Sequence, residues 1–483
     1  MEKTKTKYLT WPALTFMGFS TVWSFGNVAN GFIYFNGMQV IFSWILMFLL
    51  YFVPYALMVG ELGSAFQDAG GGVSSWIHKT IGPKWAYYAG WTYWACHVAY
   101  ISSKSSAGLK ALSWMVFQNG TTYDTFPTTA VQLLTLAVLL FFCWVVSKGL
   151  NPLKKLATLA GSSMFVMSLL YILMMFAAPV INPNASFYSA DFSLHGLLPQ
   201  FNLGYFTSLS ILVFAVGSCE KISPYVSQLK NPAREFPKGM IVLAIMVIIC
   251  AIFGTVAMSM MFDPALINES TESFNSYVAN GAYMAFQKLG AYYHVGNLLL
   301  IIYAACNAIG QFSTLVISID APLRMLLDSE NSRQFVPSGL LKKNKNGAYI
   351  NGIWMVIILS GSLILIQSLG PGAASVLAQL TKLNSVVMPF CYMWVFVAYL
   401  ALQRFVDQYH PAYRFTKNKK LAYLTGGWCL FVTGICCLMG VYVKGDAVST
   451  MLNIITPIVL VALGLILPGL KKLEMRRKSN AEI

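Results

Sequence analysis

The sequence predicts an all-α integral membrane protein with about twelve transmembrane helices. Of its 483 residues, 57% are hydrophobic and 10% are charged, whereas about a quarter of the residues in soluble domains are charged. Apolar stretches of about 20 residues, long enough to cross a hydrocarbon core as a helix, recur along the whole chain. These features exclude a soluble enzyme, a nucleic-acid-binding protein and a secreted scaffold.

The predicted spans follow one another with short connections. No Gly/Ser-rich linker separates them, so residues 1–483 are expected to form one integral membrane domain. The spans are predicted at residues 12–35, 39–63, 86–117, 128–147, 153–179, 201–227, 239–261, 293–319, 349–369, 374–402, 422–443 and 449–469.

Lysine and arginine are distributed unevenly between the two sides of these spans. The connections on the side of both termini hold 26 of the 32 basic residues, and only Lys288 and Lys444 fall on the other side. Basic loops stay in the cytoplasm, so both termini are predicted to be cytoplasmic and the chain to be a multi-pass protein of the cell membrane. The compact tails are typical of bacterial proteins. These basic loops explain most of the net charge of +15, so the charge does not indicate nucleic acid as a partner. The expected partner is the lipid bilayer.

A few charged residues remain inside the predicted spans, where a charge is costly and usually marks a pathway or a paired site. Glu220 is the one carboxylate deep within a span. Glu61 and Asp320 stand at the ends of spans 2 and 8, where we expect water to reach them. The remaining basic residues are Lys104, Lys110, Lys221 and Lys382.

Two helical faces carry polar residues at regular spacing. On span 3, His97, Tyr100 and Lys104 follow i, i+3, i+7 and share one face. Such faces either line a cavity or hydrogen-bond to neighbouring helices, and both alternatives stay open. For Lys104 and Lys382, a structural ion pair competes with a substrate-binding role. The stripe on span 8 consists of Asn307, Gln311, Thr314 and Ser318.

Spans 1 and 6 each carry small and polar residues at mid-depth, and they are five spans apart. Interrupted segments in corresponding positions of two halves indicate an inverted-repeat transporter, because unwound backbone can bind a ligand there. Close helix packing at small residues is the alternative explanation. The candidate substrate-binding residues are Ser24, Phe25, Gly26, Asn27 and Asn30 in span 1, and Val216, Gly217, Ser218, Cys219 and Glu220 in span 6.

Several motifs resemble those of one transporter superfamily. They are Phe52–Pro54, Gly60–Gly63, Gly70–Trp76 and Ile81–Trp85 at the end of span 2 and in the loop that follows, Gly217–Glu220 in span 6 with Lys230–Gly239 in its cytoplasmic tail, and Ala321–Arg324 at the end of span 8 followed by Lys343–Gly347. By these motifs the sequence resembles the amino acid-polyamine-organocation (APC) superfamily and, within it, the bacterial glutamate:GABA antiporter-like branch. In span 6, Lys221 departs from the family pattern, and we expect it to neutralise Glu220 locally.

The resemblance implies a leucine-transporter-like fold with a five-plus-five inverted repeat. The repeats would comprise residues 8–180 and 200–402, with two further helices at 420–470 and alternating access to a midplane site. Glu220 matches the glutamate that serves gating, substrate contact or proton sensitivity in the family. A lysine that serves proton-coupled members in span 5 has no counterpart here, which favours exchange.

The predicted function is secondary transport, by antiport of an amino acid against an amine or another amino acid. Proton-coupled symport of an amino acid or polyamine is the alternative. Glu220 suits an ammonium or guanidinium group, and Lys104 and Lys382 suit a carboxylate if they face the cavity, so a zwitterionic amino acid satisfies both. If these lysines are paired elsewhere, an amine such as agmatine or putrescine is the alternative substrate. The oligomeric state, monomer or homodimer, stays open.

An integral membrane enzyme, with His97 or Glu220 as catalyst, and a channel are weaker alternatives. The chain has no HExxH or GxSxG motif, and its nine cysteines include no CxxC pair. We therefore expect neither a metal site nor a cofactor.

Overall fold

A computed structural model describes residues 9–330, 332–369, 384–442 and 445–481 of the chain. Over these residues the regular secondary structure is helical, with two isolated β-bridges, and the predicted all-α fold is confirmed. The α-helices are α1 Trp11–Val22, α2 Phe25–Tyr34, α3 Val40–Met47, α4 Val53–Ala65, α5 Val73–Thr80, α6 Pro83–Phe117, α7 Thr122–Thr125, α8 Thr128–Ser147, α9 Leu150–Ile181, α10 Leu194–Leu197, α11 Leu203–Val216, α12 Pro232–Ser259, α13 Pro264–Ile267, α14 Thr271–Tyr292, α15 Leu298–Leu327, α16 Ser332–Phe335, α17 Ile350–Ile366, α18 Asn384–Tyr409, α19 Lys419–Val441, α20 Ala447–Leu463 and α21 Ile466–Ala481.

Shorter helical segments join or interrupt these helices. A π-helix, Phe48–Phe52, makes α3 and α4 continuous, and a 3₁₀ helix, Cys219–Gln228, continues the direction of the chain after α11. Further 3₁₀ turns lie at Gly37–Gln39, Ser338–Leu341 and Gln367–Leu369.

Each predicted span has a helical counterpart in the described residues. Nine helical segments there are long and apolar enough to cross a membrane. Of the other three spans, the first is divided into α1 and α2, the third is the 35-residue α6 with its lysines, and the ninth is the 17-residue α17. The tenth span is described from residue 384 onward.

The centre of the bundle is built on α15, which packs along both α6 and α9. The helix α1 packs between α9 and α12. On the periphery, apolar side chains such as Leu173 and Leu424 are 67% and 70% exposed. This arrangement is what a bilayer requires, because lipid tails solvate apolar side chains on the outer faces.

The predicted connection at residues 263–292 contains a helix that the hydropathy pattern did not indicate. In α14 one face is buried, with Tyr277, Phe286 and Leu289 against the bundle, while Glu272 and Asn275 are exposed. The helix packs on α2 and α15. Because it is amphipathic, its mean hydropathy is below that of a span, although it is ordered by burial of its apolar face.

Candidate functional site

The two predicted helix breaks are present, and the prediction of broken spans 1 and 6 is confirmed. Between α1 and α2, Trp23 and Ser24 have extended backbone. After α11, Gly217 is extended and Ser218 has a left-handed backbone with φ of 73°. A left-handed non-glycine residue costs about 1–3 kcal/mol and persists only where its surroundings hold it.

The breaks face one another and are joined by hydrogen bonds. The Asn27 side-chain amide donates to the Ala215 carbonyl (3.2 Å) and to the Val22 carbonyl (3.4 Å), which belong to the last turns of α11 and α1. The Thr21 hydroxyl donates to the Ser218 carbonyl at 3.5 Å. Unwound backbone of both spans therefore meets at one place in the middle of the bundle.

A cavity of about 60 Å³ lies at this meeting point. Several predicted site residues line it, namely Ser24, Asn27, Tyr100, Lys104, Ser218, Gln311 and Thr314. The lining is completed by Ser20, Thr21, Val22, Trp23, Met164, Phe214, Ala215 and Gly310. The structure thus brings together residues of spans 1, 3, 6 and 8, as well as Met164 of span 5.

Lys104 contributes the charged group of this lining. Its ammonium donates to the Gln311 side-chain oxygen at 3.0 Å, and Gln311 donates in turn to Asn307 at 3.1 Å. Asn307 donates to the Tyr283 hydroxyl at 2.7 Å. In the described part of the chain Lys104 therefore has a neutral partner, and its charge is not cancelled by a carboxylate.

The polar stripe of α15 both lines the cavity and forms hydrogen bonds with a neighbouring helix, the two alternatives that the sequence left open. The Thr314 hydroxyl lies at the cavity and also donates to the Ser20 carbonyl at 2.8 Å. The Ser20 and Ser313 hydroxyls are 3.1 Å apart. Further along the helix, Ser318 is buried and its hydroxyl has no partner among the described residues.

Glu220 follows the cavity-lining Ser218 by two residues, is fully buried without lining the cavity itself, and is held by two tyrosines. The Tyr93 hydroxyl donates to one carboxylate oxygen at 2.8 Å, and the Tyr55 hydroxyl donates to the other. Lys221 forms no hydrogen bond with it in the described part of the chain, so the expected local neutralisation does not occur by direct contact. The carboxylate joins α4, α6 and the 3₁₀ helix.

Other predicted residues lie near the breaks without lining the cavity. Phe25 is buried in an aromatic cluster, and the centre of its ring lies 4.7 Å from the centre of the Tyr171 ring and 5.2 Å from that of the Phe286 ring. His97 is buried on α6, with its Nδ1–H donating to the Tyr93 carbonyl at 2.6 Å. Lys382 lies outside the described residues. The others in this group are Gly26, Asn30, Val216, Gly217 and Cys219.

Sequence reasoning missed the tyrosine partners of Glu220. Tyr93 lies four residues before His97, so the polar face of span 3 extends one turn further than the sequence indicated. Tyr55 has no comparable signal. The expectation that water reaches Glu61 and Asp320 is wrong, because their exposed fractions are 0% and 6%.

The side of the bundle that carries the start of α1 is closed by contacts around Asp320. This residue of α15 accepts hydrogen bonds from Tyr225 of the 3₁₀ helix at 2.8 Å and from Arg324 at 2.6 Å. The backbone N–H of Leu9 donates to the Gln228 carbonyl at 2.7 Å. The half-helix after the second break is therefore attached at its far end.

We expect Tyr225→Phe to loosen this closure. A hydrogen bond to a charged group contributes about 1.5–3 kcal/mol, so local opening of residues 219–228 should increase about 10- to 150-fold. Amide hydrogen exchange measures this directly. Tyr349→Phe is the matched control, because the Tyr349 hydroxyl donates to the Leu327 carbonyl at 3.2 Å and makes no hydrogen bond to the half-helix among the described residues. Equal exchange in both variants would contradict this role of Tyr225.

Comparison with known proteins identifies the family of the chain. A family model described as amino acid permease matches residues 9–463. The chain belongs to this family. The resemblance to the APC superfamily is therefore confirmed, and the chain is a membrane transporter of amino acids rather than an enzyme.

The permease is similar to several bacterial transporters. It is 44% identical to the aspartate/glutamate permease AcaP of Lactococcus lactis subsp. cremoris, over 99% of this chain and 98% of that protein. It is 25% identical to the inner membrane transporter YjeM of Escherichia coli, over 80% of each chain. With the probable agmatine/putrescine antiporter AguD of Lactococcus lactis subsp. lactis it shares 23% identity over 50% of this chain and 49% of the relative.

Proposed function

We propose that the permease exchanges acidic amino acids, across the cytoplasmic membrane, for another amino acid such as a decarboxylation product. The main support for this proposal is the charge of the cavity. Among the described residues that line it, Lys104 is charged and no side chain is a carboxylate. A cationic cavity favours a substrate with a negative side chain and repels a diamine.

The broken helices supply groups for the amino acid backbone. Neither α2 nor the 3₁₀ helix has a side-chain cap on its first turn, so their N–H groups and positive dipole ends are suited to the substrate α-carboxylate. The carbonyl ends of α1 and α11, where Asn27 now binds, suit the α-ammonium group. The proposed substrate site therefore centres on Ser24–Asn27 and Val216–Glu220, with Lys104 and Gln311 beside them.

One relative supports an acidic substrate, and a different relative supports an exchange mechanism. AcaP is named for aspartate and glutamate and is similar to this chain over nearly its full length. AguD is named as a probable antiporter, although its named substrates are diamines, which the Lys104 charge disfavours here. Exchange without a fixed co-ion also agrees with the sequence of span 5, whose lysines, Lys154 and Lys155, lie at its end and not within its apolar part.

The proposed orientation follows from the basic residues. With 26 of 32 lysine and arginine residues on the side of the termini, that side would face the cytoplasm. The contacts of Asp320 with Tyr225 would then form the cytoplasmic closure, and the aromatic cluster around Phe25 would close the opposite side. Alternating release of these two closures would expose the cavity to one side at a time.

Ligand stabilisation and counterflow test this proposal. At about 100 times its Kd, a ligand that binds only the folded state should stabilise the purified protein by about 2.7 kcal/mol. We expect this from aspartate or glutamate and not from agmatine or putrescine. Radiolabelled aspartate should enter proteoliposomes at least about tenfold faster when they contain an amino acid than when they are empty. Equal uptake by empty liposomes under a proton gradient would instead indicate symport.

A further inference from the structure

Lys221 is a buried cation for which the described part of the chain offers no hydrogen-bond acceptor. Its exposed fraction is 1%, and its ammonium nitrogen has no partner there. The neighbouring carboxylate of Glu220 is occupied by the hydroxyls of Tyr55 and Tyr93. A buried ammonium without a hydrogen-bond acceptor is costly, so this group is suited to a negative group that arrives from outside.

The Lys221 ammonium is connected to the cavity through Tyr100. It lies 4.8 Å from the centre of the Tyr100 ring, and the Lys104 ammonium lies 5.1 Å from the same ring. Tyr100 and Lys104 both line the cavity. The Lys221 backbone N–H donates to the carbonyl of Ser218, which also lines it. A rotation of the Tyr100 side chain would therefore open the path from the cavity to Lys221.

A second buried nitrogen atom without a hydrogen-bond partner among the described residues lies next to the same ring. The His97 ring is 5.7 Å from the Tyr100 ring, and His97 is fully buried. Its Nδ1 is bound to the Tyr93 carbonyl, while Nε2 has no partner among the described residues. Two unsatisfied nitrogen atoms, of His97 and Lys221, thus adjoin one aromatic side chain at the edge of the cavity. Buried polar atoms normally have hydrogen-bond partners, so these two nitrogen atoms are suited to binding a polar ligand.

We propose that Lys221 and Lys104 form a carboxylate-binding subsite around Tyr100, which takes the side-chain carboxylate of an acidic amino acid substrate. This inference rests on the proposed function and specifies which residues select the acid over its neutral amide. The Lys104 ammonium is held by Gln311, and the Lys221 ammonium lies against the Tyr100 ring. Binding of the carboxylate places one negative charge against both.

The test compares acids with their amides of nearly equal shape. Binding of aspartate, asparagine, glutamate and glutamine to the purified full chain is measured by titration. The wild type should bind aspartate or glutamate at least tenfold more tightly than the amide. Lys221→Met should reduce this preference at least tenfold while amide binding is retained, and Lys221→Arg should restore part of it. Lys110→Met is the matched control, because Lys110 is a half-buried lysine on the same helix as Lys104 and outside the cavity.

The stability of the empty protein separates this role from a structural one. Lys221→Met removes a buried ammonium that has no hydrogen-bond acceptor among the described residues, so it should raise the melting temperature without substrate. A structural lysine would lower it. The double variant Lys104→Met/Lys221→Met should lose less preference than the sum of the single variants, because both lysines bind one group.

The possible outcomes distinguish the two proposals. If the wild type binds acids and amides equally, the proposed function fails irrespective of Lys221. If the wild type prefers acids and Lys221→Met keeps that preference, the subsite assignment is wrong and the proposed function stands. Competition with chloride provides a third comparison, beside the titrations with acids and with amides. Competition by chloride against aspartate in the wild type, at equal concentration, would show a site for inorganic anions and overturn the carboxylate assignment.

Discussion

Replacing Gly217 by alanine is expected to reduce transport by about 5- to 150-fold. A Cβ atom at this position would overlap the ring of Tyr392, which is fully buried on α18 and cannot move into open space. Tyr392 is also bonded through its hydroxyl to Ser218 at 2.9 Å. Overpacking of this kind costs about 1–3 kcal/mol, and each 1.4 kcal/mol corresponds to a factor of ten. The added methyl group would displace either the ring or the second break.

Gly26→Ala is the matched control for this effect. Gly26 stands in the corresponding break of span 1, but a Cβ atom there meets only the Ser24 hydroxyl at 3.4 Å. Its transport rate should stay within about twofold of wild type, because an ordinary van der Waals contact requires no displacement. Both variants are assayed by exchange in proteoliposomes, with the rate divided by the amount of folded protein. Loss of equal size in both would mean that any side chain in a break is harmful and that the Tyr392 contact is not the cause.

The comparison of Gly217 with Gly26 also shows what the sequence can and cannot predict about the breaks. Both glycines were candidates on the same grounds, since small and polar residues interrupt both spans. Only the structure distinguishes them, because the difference lies in an aromatic ring from a helix about 175 residues further along the chain. Hydropathy and small residues therefore locate a break, and packing from distant helices decides which residue it depends on.

The same limit applies to buried charge. The sequence places Glu61 at a helix end and predicts contact with water, which is correct for an isolated span. In the structure, the backbone N–H of Phe415, 354 residues away, donates to its carboxylate at 2.8 Å, and Gln403 donates at 2.9 Å. Residues that follow α18 thus fold back over the end of α4 and exclude water. A local pattern does not contain this information.

Glu220→Gln is expected to reduce transport by more than about tenfold while the protein still folds. The carboxylate of Glu220 accepts two hydrogen bonds, from Tyr55 on α4 and Tyr93 on α6. Hydrogen bonds to a charged group contribute about 1.5–3 kcal/mol each. Glutamine keeps the shape and one acceptor oxygen, but its amide nitrogen does not accept from the second tyrosine. One of the three connected elements is then released from the others.

Glu61→Gln separates the effect of Glu220 from that of any buried carboxylate. Glu61 is equally buried and also accepts two hydrogen bonds, but unlike Glu220, which follows the cavity-lining Ser218 by two residues, it has no cavity-lining residue close to it in the chain. Its variant should lose about 1–3 kcal/mol of unfolding free energy and keep its rate per folded molecule. If Glu220→Gln behaves in the same way, Glu220 is a structural residue and does not take part in transport.

The tyrosine variants decide how Glu220 acts. Tyr55→Phe and Tyr93→Phe each remove one donor and leave the charge in place, so each should lower both stability and transport. If Glu220 connects α4, α6 and the 3₁₀ helix during the transport cycle, Tyr93→Phe should have little further effect in the Glu220→Gln background, because the connection is already broken. Additive losses in the combined variant would mean that Glu220 and Tyr93 act independently. In that case the position of Glu220 two residues after the cavity-lining Ser218, rather than its link to α6, would carry its contribution to transport.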